Sequence, residues 1–216
     1  MLQGTTKRPR SIDITHELDA LGAQNNAFTS HEYTGYYAKS NPKHLSKIVD
    51  IISDMYMDPI FSEKEMEIEK GVIVEEINMY EDLPQRKVDD VYTELLHGDQ
   101  PAGWTVLGKK DFIKKAKRKD FIAYRKKHYV PSATTVIVSG KVEFKRVLSL
   151  INKSMGMMYQ GKKFGKLGTV EKQDTPDIAV EQKKTDQTHI ILGVRTFRVS
   201  DKRGATLQVL NAVLGG

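Results

Sequence analysis

Three glutamates on one face of a predicted helix are the residues in this sequence best suited to chemistry. At about 100° per residue, Glu65, Glu69 and Glu76 lie within about 20° of one line along the helix over residues 62–80. The apolar residues that flank Glu76 on the same face are Val72, Ile73, Met79 and Tyr80. An ionised carboxylate packed against a core costs several kcal/mol, roughly, unless it is paired or binds a metal. Glu76 is therefore expected to have a partner.

The pattern leaves the kind of partner open. Glu76 is either a metal ligand or catalytic acid, or it pairs with a buried arginine or lysine on a partly solvated stripe. Ser62 followed by Glu65 has the spacing of a capping box, which predicts where the helix starts.

The rest of the sequence restricts the metal chemistry available. With no cysteine in 216 residues, any metal must be held by His, Asp or Glu. None of the six histidines has the spacing of a two-histidine helical zinc motif. The motifs of serine hydrolases, Walker-type nucleotide binders and dinucleotide binders are also missing. The sequence therefore predicts no self-contained catalytic site.

Composition and charge favour an ordinary globular chain. No apolar run is long enough to cross a bilayer, and the first residues lack the apolar core of a signal peptide, which predicts a soluble chain without a membrane partner. Residues 109–127 hold ten of the 34 basic side chains, within a net charge of +6. Since no stacking-aromatic motif accompanies them, we interpret them as a solvated helix face, and nucleic-acid binding is a remote alternative.

The periodicity predicts an α+β fold, with one mixed, mostly antiparallel sheet and helices packed chiefly on one face. Residues 24–39 are predicted to form a β-hairpin, and residues 133–140 and 188–197 two further strands. Residues 162–173, rich in glycine and lysine, are predicted to be an internal loop. The remaining helices are predicted near residues 11–21, 41–58, 85–96, 110–127, 143–155 and 202–214.

Four segments together resemble the pitrilysin/insulinase family of zinc peptidases, with the processing-peptidase branch nearest. Residues 22–38 read Gly-Ala-Gln-Asn-Asn-Ala-Phe-Thr-Ser-His-Glu-Tyr-Thr-Gly-Tyr-Tyr-Ala, and residues 67–77 read Glu-Ile-Glu-Lys-Gly-Val-Ile-Val-Glu-Glu-Ile. The other two are His-Tyr-Val-Pro at 128–131, leading into Val-Ile-Val-Ser-Gly at 136–140, and Leu-Asn-Ala-Val-Leu-Gly-Gly at 210–216. The segments occur in the family's order along almost the whole chain.

The resemblance implies a role for the glutamates. In that family Zn²⁺ is bound by two histidines of a His-x-x-Glu-His motif, whose glutamate is the general base, and by a glutamate of a later helix. The later glutamate corresponds to Glu76, and an acid that orients the ligands corresponds to Glu69. The motif ends just before a Met-x-x-x-Gly-Thr segment, and this sequence begins Met1-Leu2-Gln3-Gly4-Thr5, with two residues rather than three between Met and Gly. The histidines and the base are thus expected upstream of Met1, and no catalytic residue is expected within the chain.

The resemblance also implies a substrate site and a partner. The family's Asn-Ala-Phe-Thr strand accepts an extended peptide along its edge, a role that falls to Asn26, Ala27, Phe28 and Thr29. A second, similar half-domain or subunit completes the enzyme. Residues 1–216 are accordingly expected to be a single half-domain, truncated at both ends and inactive alone. A non-catalytic scaffold or peptide-binding subunit of the same family is the alternative.

Overall fold

The computed structural model describes residues 4–184 and 186–215. Its helices are α1 (Ser11–Ala20), α2 (Leu45–Met57), α3 (Glu63–Asp82), α4 (Pro84–His97), α5 (Lys110–Lys115), α6 (Arg118–His128), α7 (Phe144–Met155) and α8 (Gly204–Val213). The strands are β1 (Gln24–Thr29) and β2 (Thr34–Lys39). Short 3-10 turns cover Pro42–His44, Pro101–Gly103 and Pro131–Ala133.

The predicted hairpin is confirmed. β1 and β2 are antiparallel, with Gln24 opposite Lys39 and Thr29 opposite Thr34. The chain leaves α1 through Gly22, whose φ of +57° is a left-handed conformation that glycine adopts without steric cost. The end of α1 therefore delivers the chain directly into β1.

The main core lies between the hairpin and the first two helices. Ile14 and Leu18 of α1 are fully buried against Ile51 and Met55 of α2. Tyr36 and Ala38 of the hairpin pack against this cluster. The helices thus cover one face of the sheet, and the α+β class predicted from the sequence is confirmed. The sheet that the described residues form is a two-stranded antiparallel one.

A buried ionic network fixes the segment that precedes α1. The side chain of Arg8 is only 2% exposed, and it pairs with Glu17 at 3.0 Å, Asp50 at 2.6 Å and Asp54 at 2.5 Å. The hydroxyl of Thr5 donates to Asp54 at 2.7 Å. This segment is also tied to the end of α2, because the amide of Ile60 donates to the carbonyl of Gly4 at 3.0 Å.

The two further strands predicted from the sequence are wrong. Residues 134–139 and 188–197 belong to neither a helix nor a strand, and the side chains of Ile137 and Leu192 are 83% and 96% exposed. A strand needs a neighbour that accepts and donates its main-chain hydrogen bonds, and the described residues provide none for these segments. Residues 162–173, predicted to be a loop, contain no helix or strand.

Among the described residues, no helix combines the length and apolar character needed to span a bilayer.

Candidate metal and peptide-binding site

The helix that carries the glutamates is α3, and it starts where the sequence predicts. Ser62 is the residue before its first turn, but the Ser62 side chain makes no capping hydrogen bond, so the predicted capping box is absent. Glu63 and Glu65 lie in the first turn, where the positive end of the helix dipole favours acids. The charge of the first turn, rather than a side-chain cap, thus stabilises this end of α3.

The buried face of α3 differs from the predicted one. Met66 and Ile77 are its buried residues, and Ile73 is half-buried between them. Glu76 projects about 100° away from Ile77 and is exposed. Its carboxylate forms no hydrogen bond or ion pair with another described residue. The predicted burial cost at Glu76 is therefore wrong, while its role as a metal ligand stays a prediction.

Glu69 is better enclosed than Glu76. It is half-buried and lines a cavity of about 480 Å³ together with its neighbours Lys70 and Ile73. Lys70 is itself engaged, because its ammonium pairs with Glu67 at 2.7 Å. Glu65 is half-buried and does not line this cavity. The structure therefore separates the three glutamates, and only Glu69 faces an enclosed space.

The cavity lies where the hairpin and the acidic helix meet. Thr29, Thr34 and Tyr36 of the hairpin line it, and so does Glu69 on α3. The other residues that line it come from α2, α3, α5, α6 and the segments beside them, and most are apolar or aromatic: Met55, Tyr56, Pro59, Phe61, Met66, Phe112, Ile113, Ala116, Asp120, Phe121, Tyr124, Arg125 and Tyr129. An apolar cavity with a few polar groups on its wall is typical of a ligand site.

The outer edge of β1 has main-chain groups available for a further strand. The amide of Ser30 donates to the carbonyl of Tyr33 at 2.8 Å, so the hydrogen-bonded pairs of the hairpin fall at even positions of β1. The main-chain groups of Asn25, Ala27 and Thr29 therefore point away from β2. The amide of Ala27 is taken up locally, because the side-chain oxygen of Asn26 accepts from it at 2.8 Å.

Phe28 lies on the outer face of the hairpin rather than in the core. Its side chain is 48% exposed, and its ring packs edge-on against Tyr33 at 5.9 Å and beside Tyr37 at 6.5 Å. The ring also covers Gly35, where a Cβ atom would lie 2.3 Å from it. The absence of a side chain at Gly35 thus allows Phe28 to lie flat across the hairpin.

Two tyrosines of the cavity wall were not identified from the sequence. The hydroxyl groups of Tyr56 and Thr134 are 2.7 Å apart, and the rings of Tyr56 and Tyr129 are 5.0 Å apart. Burial raises the pKa of both phenols above its ordinary value. The position of Tyr129 in the His-Tyr-Val-Pro segment was the available signal, whereas Tyr56 has no motif around it.

The described residues do not form a complete zinc site. A catalytic zinc is usually held by three protein ligands and a water. No group of three or more His, Asp or Glu side chains among residues 4–184 and 186–215 could hold a metal. Glu76 and Glu69 are on one helix, about 10 Å apart along its axis. A carboxylate could supply one ligand to a zinc ion, but the described residues do not supply three.

The fold is that of a group of proteases. The structure superimposes on a protease from Helicobacter pylori with a TM-score of 0.72 and 21% identity, over 79% of this chain and 41% of that one. It superimposes on pitrilysin with a TM-score of 0.68 and 18% identity, over 79% of this chain and 19% of that one.

Sequence comparison gives the family. Residues 1–109 match the model of the insulinase family, peptidase family M16, and residues 115–216 match the peptidase M16 inactive domain. The chain belongs to this family, as the resemblance predicted. It is 34% identical to the zinc protease YmxG of Bacillus subtilis over 98% of this chain and 51% of that protein. It is 30% identical to the beta subunit of the mitochondrial-processing peptidase of Bos taurus, over 99% of this chain and 44% of that protein.

The chain spans about half the length of the curated relatives it matches. Several of them are named zinc proteases, which confirms the predicted assignment to a zinc-dependent peptidase family.

Proposed function

We propose that this chain is part of a zinc metalloendopeptidase that hydrolyses peptide bonds in extended peptides. The observation that carries the proposal is the cavity that Thr29 of β1 and Glu69 of α3 both line. A substrate strand added to β1 would run past this cavity and the acidic helix. Membership of the insulinase family supports the same roles for β1 and α3.

Glu76 is the zinc ligand in this proposal, and Glu69 orients the ligands from one side. The Glu76 carboxylate is exposed and free to bind a metal, since no described residue competes for it. Two further ligands and the general base are needed, and in this proposal residues outside this chain supply them. The chain by itself is then inactive.

The substrate peptide binds along the outer edge of β1. Ala27 and Thr29 offer main-chain donors and acceptors there, while Asn26 and Phe28 bond to β2. The side chain of Asn26 must release the Ala27 amide before a peptide can use it. Main-chain recognition of this kind gives affinity with little dependence on side-chain identity.

The catalytic partner in this proposal is a second, similar half-domain or subunit. The chain covers 48–51% of several zinc protease relatives, which leaves room for another unit of this size. The first half of the protease PqqL from Escherichia coli has been crystallised by itself, and this chain superimposes on it with a TM-score of 0.69.

Zinc titration of the purified 216-residue chain tests the incomplete site. We expect binding weaker than micromolar and no cleavage of an unstructured peptide, because one or two carboxylates cannot replace three ligands. Sub-micromolar zinc retained by three protein ligands would contradict this.

The role of Glu76 is tested in the protein encoded by the complete reading frame. If an in-frame His-x-x-Glu-His precedes codon 1, Glu76→Gln is expected to lower zinc affinity and peptide hydrolysis by at least about 100-fold. Glu75→Gln is the matched control, because Glu75 is exposed on the same helix and already bonds to Asn78 at 3.2 Å. Equal losses in the two variants would show that Glu76 is not a zinc ligand.

A non-catalytic scaffold subunit is the second candidate, and one observation favours it. Because Glu76 is exposed, keeping it without zinc costs little stability, so its presence alone does not require a metal. Unrelated residues or a stop codon upstream of codon 1 would support the scaffold.

A further inference from the structure

A second cavity, of about 460 Å³, lies between α6 and the residues that follow α7. Three cationic side chains line it: Arg118, Arg125 and Lys126. No aspartate or glutamate is found among the described residues of its lining. Arg118 and Lys126 are exposed and Arg125 is half-buried, so positive charge is concentrated at an open cavity that has no acidic side chain in its described lining.

Main-chain carbonyls hold both arginines in place without neutralising them. Arg118 donates from Nε to the carbonyl of Phe61 at 2.9 Å and from Nη2 to that of Ile60 at 3.0 Å. Arg125 donates from Nη2 to the carbonyls of Tyr56, at 2.9 Å, and Met57. Carbonyl oxygens carry no formal charge, so the two guanidinium groups are positioned but remain unpaired.

Donors are left over on each cation. A guanidinium has five N–H groups, and Nη1 of both arginines has no partner among the described residues. Nε of Arg125 also has no partner within the part of the chain that the structure describes, but it is fully buried and so does not face the open space of the cavity. Lys126 has no carboxylate partner there, and its ammonium lies 5.8 Å from the centre of the Tyr159 ring.

The rest of the lining is apolar or aromatic. Ile122, Tyr129, Met158 and Tyr159 contribute to it. Such walls favour a ligand with an apolar body and disfavour a fully hydrated multivalent anion. The N–H groups of a guanidinium match the two oxygens of a carboxylate by parallel, charge-assisted hydrogen bonds.

We propose that this cavity binds a carboxylate carried on an aromatic or branched apolar body. The carboxylate contacts Arg118, Arg125 and Lys126. The apolar body packs on Ile122, Tyr129 and Tyr159. Neither Glu69 nor Glu76 lines this cavity, although it shares Arg125 and four other lining residues with the first cavity: Tyr56, Pro59, Phe61 and Tyr129.

Calorimetric titration of the 216-residue chain at low ionic strength tests the site with N-acetylphenylalanine and its uncharged amide. The acid is expected to bind at least about 10-fold more tightly than the amide, because charge-assisted hydrogen bonds depend on the carboxylate. Equal affinities, or no saturable binding of the acid, would overturn the proposal. Tighter binding of inorganic phosphate than of the acid would overturn it as well.

Two variants separate a local site from the general positive field of α6. Lys126→Gln is expected to weaken binding of the acid about 3- to 10-fold, and it removes no hydrogen bond within the described fold. Lys119→Gln is the matched control: the same charge is lost from the same helix, at an exposed residue outside the cavity lining. A change below about 2-fold is expected there. Equal losses in the two variants would show a diffuse field and contradict a site.

Discussion

The two parts of the chain, residues 4–133 and residues 134–215, differ sharply in how they use their apolar side chains. Nearly all buried residues among those described precede residue 131, and Met158 is the one buried residue after it. In the second part, Ile137, Leu192 and Val194 are at least 80% exposed although their sequence pattern is that of strands. The difference shows that apolar β-branched residues form a strand only where a hydrogen-bonding neighbour exists.

The hairpin shows what the second part lacks. β1 and β2 are joined by four residues, so each strand meets its partner after a short loop closure. The segments at residues 134–139 and 188–197 have no such local partner. Their pairing depends on segments distant in sequence, which a local pattern does not specify.

A matched pair of leucine substitutions should give the largest contrast between the two parts. Leu18→Ala is expected to lower the free energy of unfolding by about 3 kcal/mol, because Leu18 is fully buried in the core. Leu192→Ala, at a side chain that is 96% exposed, is expected to change it by less than about 0.5 kcal/mol. Urea unfolding followed by circular dichroism measures both. Similar losses would show that residue 192 is packed, and the contrast would fail.

The ionic network around Arg8 should account for the next largest effect. Arg8→Met removes three ion pairs and leaves Asp54 without its guanidinium partner, with an expected loss of about 2 kcal/mol in the same unfolding measurement. Arg10→Met is the control, because Arg10 is 72% exposed and pairs only with Asp13, so less than about 1 kcal/mol is expected. A loss at Arg10 as large as that at Arg8 would show that burial does not strengthen the ion pairs of Arg8.

Acid should weaken the first part through the same network, by a smaller amount. Burial alone would raise the pKa of Asp50, but hydrogen bonds from Lys7 and Arg8 outweigh it and hold that pKa below its ordinary value. At Glu17, burial also acts to raise the pKa, but hydrogen bonds from Lys47 and Arg8 outweigh it and lower that pKa. The unfolded chain then binds more protons, so this stability is present above about pH 5 and is lost as the pH falls below about 4, toward the lowered pKa values of the folded chain.

Unfolding free energies measured across that pH range, in the parent chain and in Arg8→Met, check the assignment. The variant should show the shallower pH dependence, because the pKa values of both acids return toward their ordinary values. An unchanged slope would mean that other carboxylates control the response.

The glutamate helix shows how far sequence could define the site. Residue spacing predicted a helix over residues 62–80, and α3 runs from Glu63 to Asp82, because charge at a helix end acts locally. It did not give the buried face, because the choice between Glu76 and Ile77 depends on which elements pack against α3. The cavity shared by Thr29 and Glu69 joins residues 40 positions apart, and no local pattern could have indicated it.

The sequence by itself determined the family, the order of the helices, the hairpin and the α+β class, because these follow from local periodicity, turn residues and motif order. Tertiary structure alone decided that Glu69 is enclosed while Glu76 is exposed, that Arg8 is buried among three acids, and that two apolar segments remain unpaired. Burial and strand pairing are properties of contacts between distant segments, and the free energy of those contacts is fixed only when the elements are packed together.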